Sequence, residues 1–133
     1  MRVMLDTNVL ASAIMFPSKN MNRLIEEIDA HHELYLASYV LEELKEVVKR
    51  KFPSRQVALD KFLLKARYTY VRTPEFPEKG LFDIRDTKDY PVLYTAIMED
   101  VDILITGDKD FAAVEIDHPE IMTPAAFLER FPE

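Results

Sequence analysis

The sequence predicts an α/β protein whose parallel sheet is covered by helices. Short apolar segments alternate with amphipathic helical segments along the whole chain, and this alternation is typical of strands joined by helical crossovers. The chain has 133 residues, of which 48% are hydrophobic, so it has enough apolar material for one core but not for two. We therefore expect a single domain that spans residues 1–133.

Two strands and four helices are predicted in the first half of the chain. The strands are short apolar runs bounded by polar residues, whereas the helices place apolar side chains at helical spacing. Ser38 and Ser54 are suitable N-caps for the last two helices. The strands are residues 3–5 and 34–37, and the helices are residues 9–15, 20–30, 38–51 and 54–66.

Three strands and two helices are predicted in the second half. Pro91 and Pro124 fall in the first turns of the two helices, where proline is tolerated. Residues 73–88 are rich in proline and charge and predict a long loop, and loops of this length are often functional. The strands are residues 69–72, 103–105 and 120–122, and the helices begin at Asp89 and Thr123.

The composition excludes several classes of site. Because the chain lacks cysteine, it has no disulfide, zinc–thiolate site or cysteine nucleophile, and we expect it to reside in the cytoplasm. Its two glycines, Gly80 and Gly107, are too few for a phosphate-binding glycine motif, so no nucleotide cofactor is expected. Asp6 interrupts the first apolar run, so we expect no secretory signal, and no apolar stretch is long enough to predict a membrane span.

The charge is distributed unevenly. The net charge of −7 argues against a protein with a basic surface everywhere. Residues 45–67, however, carry eight basic and two acidic side chains, a net +6, which leaves −13 for the rest of the chain. Two interpretations stay open: a solvated helical surface, or a surface that follows the backbone of a nucleic acid. The bases that we expect to contact such a strand are Lys45, Lys49, Arg50, Lys51 and Arg55.

Two aspartates come after predicted strands. Asp6 directly follows residues 3–5, and Asp108 follows residues 103–105 after a glycine that permits a sharp turn. In an open parallel sheet, ligands bind beyond the carboxyl ends of the strands. We therefore expect both side chains at the same edge of the sheet.

Two helical acids are expected to join them. Glu43 shares a helix face with Val40 and Val47, three and four residues away, so it is directed partly inward. Asp89 precedes Leu93 by four residues, so a helix that begins there aims its first carboxylate along the apolar face.

Four converging carboxylates need a counter-ion. Each acid taken alone has an ordinary interpretation, as a helix cap, a turn residue or the partner of a lysine. Together they would repel one another and be costly to bury without a cation. No inward-facing base stands out beside them, and hard divalent ions prefer oxygen ligands. The sequence therefore predicts a Mg²⁺ or Mn²⁺ site.

Four segments place these acids in a specific sequence context. They are residues 4–10 (MLDTNVL), 38–44 (SYVLEEL), 86–93 (DTKDYPVL) and 104–111 (LITGDKDF). Together they resemble the four motif blocks of the PIN domain family, in the family's order and over nearly the whole chain. The resemblance, which extends to the VapC-type toxin ribonucleases, implies a three-layer α/β/α sandwich and metal-dependent cleavage of single-stranded RNA. It also implies a cognate antitoxin and a homodimer.

The resemblance assigns roles to the matching positions. It implies an acidic quartet whose three aspartates bind metal directly and whose glutamate reaches the metal through water. Asn8 and Thr106 match residues that support the acids by hydrogen bonds. Asp110 is either an additional outer ligand or faces solvent, and Asp86 replaces Asp89 if the loop register differs. The quartet is Asp6, Glu43, Asp89 and Asp108.

Two other functions stay open. A haloacid-dehalogenase-like phosphatase also has an aspartate after its first strand, but it needs a second aspartate where this chain has Asn8. The same fold can also serve as a non-catalytic RNA- or protein-binding module, although such a module would not need the four acids.

The aromatic and histidine residues near these segments receive no catalytic role. Tyr39 and Tyr90 lie beside the acids and are candidates for stacking on a base. The histidines lack the spacing of metal ligands and are expected in loops or on the surface; they are His31, His32 and His118.

Overall fold

The computed structural model describes residues 1–132 and confirms the predicted class of fold. Within these residues, seven helices surround a five-stranded sheet in which every pair of neighbouring strands is parallel. The strands are β1 (Arg2–Leu5), β2 (Glu33–Ala37), β3 (Thr69–Val71), β4 (Ile103–Ile105) and β5 (Glu120–Met122). The helices are α1 (Thr7–Met15), α2 (Lys19–His31), α3 (Ser38–Lys51), α4 (Gln56–Lys65), α5 (Tyr90–Met98), α6 (Lys109–Ala112) and α7 (Pro124–Arg130).

The strand order places a topological switch point between β1 and β4. The order is β3-β2-β1-β4-β5, so the chain first moves outward from β1 and then returns to place β4 on its other side. Because parallel crossovers are right-handed, connections that move in opposite directions lie on opposite faces, which gives three layers. Leu5 and Ile105 are in register at the carboxyl ends of the two central strands. An open α/β sheet leaves a ligand-binding crevice at such a point.

The two central strands are fixed by the core. Met4, Leu5 and Leu104 are completely buried, as expected for strands covered by helices on both faces. Phe111 of α6 and Phe127 of α7 are the largest fully buried side chains within residues 1–132. Residues that follow β1 and β4 are therefore attached to rigid parts of the molecule.

The predicted N-caps of α3 and α4 are wrong. Ser38 is the first residue of α3, and its hydroxyl accepts a hydrogen bond from the backbone N–H of Thr73 at 2.9 Å. Ser54 lies in a 3₁₀ turn, Pro53–Arg55, and makes no capping bond to α4. The predicted start of the last helix is confirmed, because the hydroxyl of Thr123 accepts a backbone N–H of its first turn at 3.1 Å.

His32 lies in the turn between α2 and β2, as the prediction of a loop or surface position allows, but its side chain is only 5% exposed. Its ring packs against Phe127 and Phe131, with centroids 5.3 and 4.7 Å away, and its Nε2 lies 3.1 Å from a carboxylate oxygen of Glu27. Burial lowers the pKa of His32. The residues that cover it come from the far end of the chain, so local spacing does not reveal its position.

No helix in residues 1–132 combines the length and the apolar character that a membrane span requires.

Candidate functional site

Asp6 follows β1 and is held by two hydrogen bonds. The residue is 4% exposed. Its Oδ1 accepts the backbone N–H of Val9 at 2.8 Å, which caps α1, and its Oδ2 accepts the hydroxyl of Thr106. Burial raises the pKa of Asp6, the two hydrogen bonds lower it, and the charges of Asp108 and Glu43 raise it further. Asp6 is therefore a fixed carboxylate with two acidic neighbours.

Thr106 connects the residues that follow β1 and β4. It is 2% exposed, and its hydroxyl accepts the backbone N–H of Asp108 at 3.0 Å while donating to Asp6. Asp108 in turn accepts the N–H of Asp110 at 2.8 Å and caps α6. One buried hydroxyl thus fixes the relative positions of two acids from neighbouring strands.

Asp89 lies at the start of α5 but does not cap it. Its side chain makes no capping hydrogen bond, and its Oδ2 is buried with no hydrogen-bond partner in residues 1–132. Burial, followed by the charges of Asp108 and Asp86, raises the pKa of Asp89 to about 7. Buried carboxylate oxygens normally have a partner, so the ordinary capping role does not account for this side chain. A bound cation would account for it.

Three carboxylates, from Asp89, Asp108 and Asp110, form what we call the carboxylate cluster. One oxygen of each lies within 4.8 Å of one oxygen of each of the others, and all three residues are half-buried. None of the ion pairs within residues 1–132 involves these acids. Because hard divalent cations prefer oxygen ligands, the donor set fits Mg²⁺ or Mn²⁺.

Glu43 faces this region from α3. It is half-buried, whereas the preceding Glu42 is exposed, as the helical spacing predicts. The charge of Glu43 raises the pKa of both Asp6 and Tyr39. The acids of the quartet are therefore electrostatic neighbours, although they come from four distant parts of the chain.

The structure places Asp110 and Asp6 differently relative to the carboxylate cluster. Asp110 lies inside the cluster and is half-buried, which favours the predicted ligand alternative over the solvent-facing one, and its role as a ligand stays a prediction. Asp6 lies outside the cluster, and both of its oxygens already accept hydrogen bonds. The signal for the position of Asp110 is its spacing from Asp108. Asp108 accepts the N–H of Asp110 through its own side chain, and this bond holds the two aspartates close together.

Two further predicted residues lie near the site. Asn8 is exposed, and its side chain hydrogen-bonds none of the acids within residues 1–132, so its supporting role stays a prediction. Asp86 is exposed, and its Oδ1 accepts the N–H of Lys88 at 2.9 Å in the turn before α5. Asp86 therefore shapes the loop that delivers Asp89.

The predicted RNA-contacting bases lie along and beyond α3. Lys45 is two residues after Glu43, but the last turn of the helix lies about 12 Å from Glu43 along its axis. Arg50 pairs with Glu46 at 3.5 Å. None of these bases forms an ion pair with an acid of the quartet within residues 1–132. All of them are exposed: Lys45, Lys49, Arg50, Lys51 and Arg55.

Comparison with known proteins gives a family match and two similar structures. A model of the PIN domain family matches residues 2–110. VapBC2 from Rickettsia felis, bound to a DNA fragment from their promoter, contains a chain with a TM-score of 0.70 and 25% identity, covering 92% of this chain and 97% of that one. FitAcB from Neisseria gonorrhoeae matches with a TM-score of 0.63 and 17% identity, over 92% and 98%, and shows the fold alone. No curated protein matches the sequence.

Proposed function

Because the chain belongs to the PIN domain family, we propose that it is a nuclease that hydrolyses the phosphodiester bonds of single-stranded RNA with Mg²⁺ or Mn²⁺. We further propose that it is the toxin of a toxin–antitoxin pair. The observation that carries the proposal is the buried, unpartnered Oδ2 of Asp89 within the carboxylate cluster. A buried carboxylate oxygen that caps no helix and has only other carboxyl groups as charged neighbours is suited to a cation.

The surroundings of each acid indicate a different role for it. Asp89, Asp108 and Asp110 would hold the metal, because their oxygens converge and no base neutralises them. When bound, a divalent cation supplies positive charge for the oxygen on which negative charge develops during phosphodiester hydrolysis. Asp6 completes the acidic site from β1, in an orientation set by its hydrogen bonds to Val9 and Thr106.

The remaining polar residues position water and carboxylates. Glu43 is half-buried and makes no hydrogen bond within residues 1–132, so it is free to accept one from the attacking water. Thr106 keeps Asp6 and Asp108 in place, and such outer hydrogen bonds tune metal sites. Asn8 is proposed to act in the same way when substrate and metal are bound.

The proposed partners are single-stranded RNA, an antitoxin and a second copy of the chain. The Rickettsia felis structure is bound to a DNA fragment from their promoter, and the present chain covers 97% of its matching chain, which supports an antitoxin partner. The exposed bases from Lys45 to Arg55 are proposed to contact RNA away from the cut site. The absence of cysteine supports a cytoplasmic location.

The experiment that tests the function is RNA cleavage with defined metals. We expect the purified protein to cut single-stranded RNA in Mg²⁺ or Mn²⁺ and not in EDTA. Asp108→Asn should lower the rate by at least roughly 100-fold, the effect of losing one group that stabilises transition-state charge. Glu129→Gln, which removes an exposed acid of α7 away from the proposed RNA contacts, is the matched control.

Two outcomes would contradict the proposal. Cleavage that continues unchanged in EDTA would rule out the metal-dependent reaction. Binding of RNA without cleavage in either metal would favour the alternative of a non-catalytic RNA-binding module. The phosphatase alternative is not retained, because the chain belongs to a different family.

A further inference from the structure

A groove opens beside the acids on the side of β3. Its volume is about 650 Å³, and its walls include Tyr39 of α3 and both Tyr70 and Arg72 from β3 and its carboxyl end. Tyr39 lies at the boundary between this groove and the acids, because the charges of Glu43 and Asp89 both raise its pKa. Pro91, in the first turn of α5, also lines the groove, so the groove borders the helix that begins after Asp89.

The groove is built on fixed backbone. The hydroxyl of Thr73 accepts the N–H of Tyr39 at 3.2 Å, and the N–H of Thr73 donates to Ser38 at 2.9 Å. The buried hydroxyl of Thr95 lies 3.0 Å from the same Thr73 oxygen. These bonds join the end of β3 to the start of α3 and to the middle of α5.

A second cavity opens on the other side of the acids. Its volume is about 530 Å³, and it is lined by Arg85, Asp86, Thr87 and Asp110. Asp110 follows β4, whereas the first groove lies at the end of β3, and the strands β2 and β1 separate the two. The cavities therefore flank the carboxylate cluster along the carboxyl edge of the sheet. The strands β3 and β4 are three strand spacings apart, which is about 14 Å. A single strand with stacked bases rises about 3.4 Å per nucleotide, so roughly four nucleotides span this distance.

Each cavity contains an arginine without a partner. Arg72 and Arg85 are exposed, and neither makes an ion pair or a hydrogen bond within residues 1–132. Four arginines elsewhere on the surface each pair with an acid; they are Arg2, Arg50, Arg67 and Arg130. In an acidic protein, two guanidinium groups that remain free beside an acidic site are suited to an external anion.

We propose that a single strand of RNA crosses the carboxyl edge of the sheet, with Arg72 and Arg85 binding backbone phosphates on either side of the one that is cut. This inference rests on the proposed function and adds the path of the substrate. Tyr70, which is 57% exposed, offers its ring to a base in the larger groove. Glu42 and Glu75 also line that groove and would repel phosphates there, while their oxygens can accept hydrogen bonds from base amino groups.

Tyr90 does not take part in this path, although its position in the sequence made it a candidate for stacking. Its ring is stacked on Phe82 with centroids 4.3 Å apart, and its hydroxyl donates to the backbone carbonyl of Glu78. Tyr90 instead anchors the loop between β3 and α5. Tyr70 and Tyr39 are the rings left for a base.

The test measures RNA binding separately from cleavage. All variants are made in an Asp6→Asn background, so that a fluorescein-labelled single-stranded RNA stays intact in Mg²⁺, and affinity is measured by anisotropy over a range of salt concentrations. Each of Arg72→Ala and Arg85→Ala should lower the slope of log K against log salt by about 0.7, and the double variant by about 1.4. Arg72→Lys should keep the slope, since a phosphate contact needs only the charge.

Two further variants separate charge from stacking. Tyr70→Ala should weaken binding about tenfold without changing the slope, because a stacked base carries no charge. Arg2→Ala is the matched control: it removes an exposed guanidinium at the amino end of β1, on the opposite edge of the sheet, and should leave both affinity and slope unchanged. Melting curves verify that each variant is folded.

The proposal is overturned if Arg72→Ala and Arg85→Ala both match Arg2→Ala. A loss of slope only in Lys49→Ala would show that the RNA follows α3 instead. Failure of the proposed function would look different, because the unmodified protein would then leave RNA uncut in Mg²⁺ and Mn²⁺ while the slopes still report the path of the strand.

Discussion

The hydroxyl of Thr106 donates a hydrogen bond to Oδ2 of Asp6 and thereby joins the carboxyl ends of β1 and β4. Both residues are buried. A hydroxyl has one proton, so its bond to Asp6 leaves its lone pairs for the N–H of Asp108, which lies 3.0 Å away. The bond also favours the charged form of Asp6 and so opposes the effect of burial on its pKa.

Replacing Thr106 should therefore impair cleavage although Thr106 is not a metal ligand. We expect Thr106→Val to lower the cleavage rate roughly 10–100-fold, the usual effect of removing an outer hydrogen bond at a metal site. Thr106→Ser keeps the hydroxyl and should retain most activity. Single-turnover cleavage rates in Mg²⁺, compared with melting temperatures, separate this effect from a loss of folding. Equal rates for the valine and serine variants would show that the hydroxyl has no such role.

Metal binding should stabilise the folded protein through the carboxylate cluster. A ligand that binds only the folded state at about 100 times its dissociation constant adds about 2.7 kcal/mol to the free energy of unfolding. We expect the melting temperature to rise with Mg²⁺ or Mn²⁺, and this rise to be abolished in Asp108→Asn. Glu46→Gln, an exposed acid outside the cluster, should keep it. A rise that persists in Asp108→Asn would place the metal elsewhere.

The raised pKa of Asp89 predicts how stability depends on pH without metal. The pKa of Asp89 is raised from its ordinary value of 3.8 to about 7 in the folded protein. The folded state therefore binds the proton of this carboxyl group more tightly than the unfolded chain does. The resulting stability is complete below about pH 4 and is lost as the pH rises through about 7. In EDTA, Asp89 should therefore make the melting temperature fall between about pH 5 and about pH 8, while His32, whose pKa is lowered, acts in the opposite direction at the acidic end of that range.

Asp89→Asn is the variant that assigns this pH dependence. The carboxamide does not titrate, so the fall in melting temperature should become shallower, with a smaller slope of the same sign from Asp6, whose pKa is also raised. The metal-induced rise in melting temperature should grow over the same pH range in the unmodified protein, since the metal displaces the proton. An unchanged pH profile in Asp89→Asn would show that another group is responsible.

The main features of the site were predictable because they depend on local patterns. Asp6 and Asp108 each end a short apolar run, and parallel strands bring the ends of such runs to one edge. The inward directions of Glu43 and Asp89 follow from helical spacing to apolar neighbours. In each case the position of the acid relative to the core is set by residues within a few positions in the sequence.

Features that depend on contacts between distant segments were not predictable. Ser38 is a good N-cap by its residue type, but Thr73, which follows β3, uses its hydroxyl instead. His32 is buried by Phe127 and Phe131 of the last helix and its end. The short helix α6 has only four residues, too few to show helical periodicity, so the sequence leaves open whether Asp110 faces the site or solvent.

The position of Asp110 gives a prediction that separates it from Asp86. Asp110→Asn should weaken Mg²⁺ binding at least about tenfold, because it removes one of three converging carboxylates. Asp86→Asn removes the same charge from the same cavity, but Asp86 lies outside the cluster and an asparagine can still accept the N–H of Lys88. We therefore expect a smaller effect. Calorimetric titration of both variants with Mg²⁺ measures the difference, and equal losses would mean that the two acids act only through their charge.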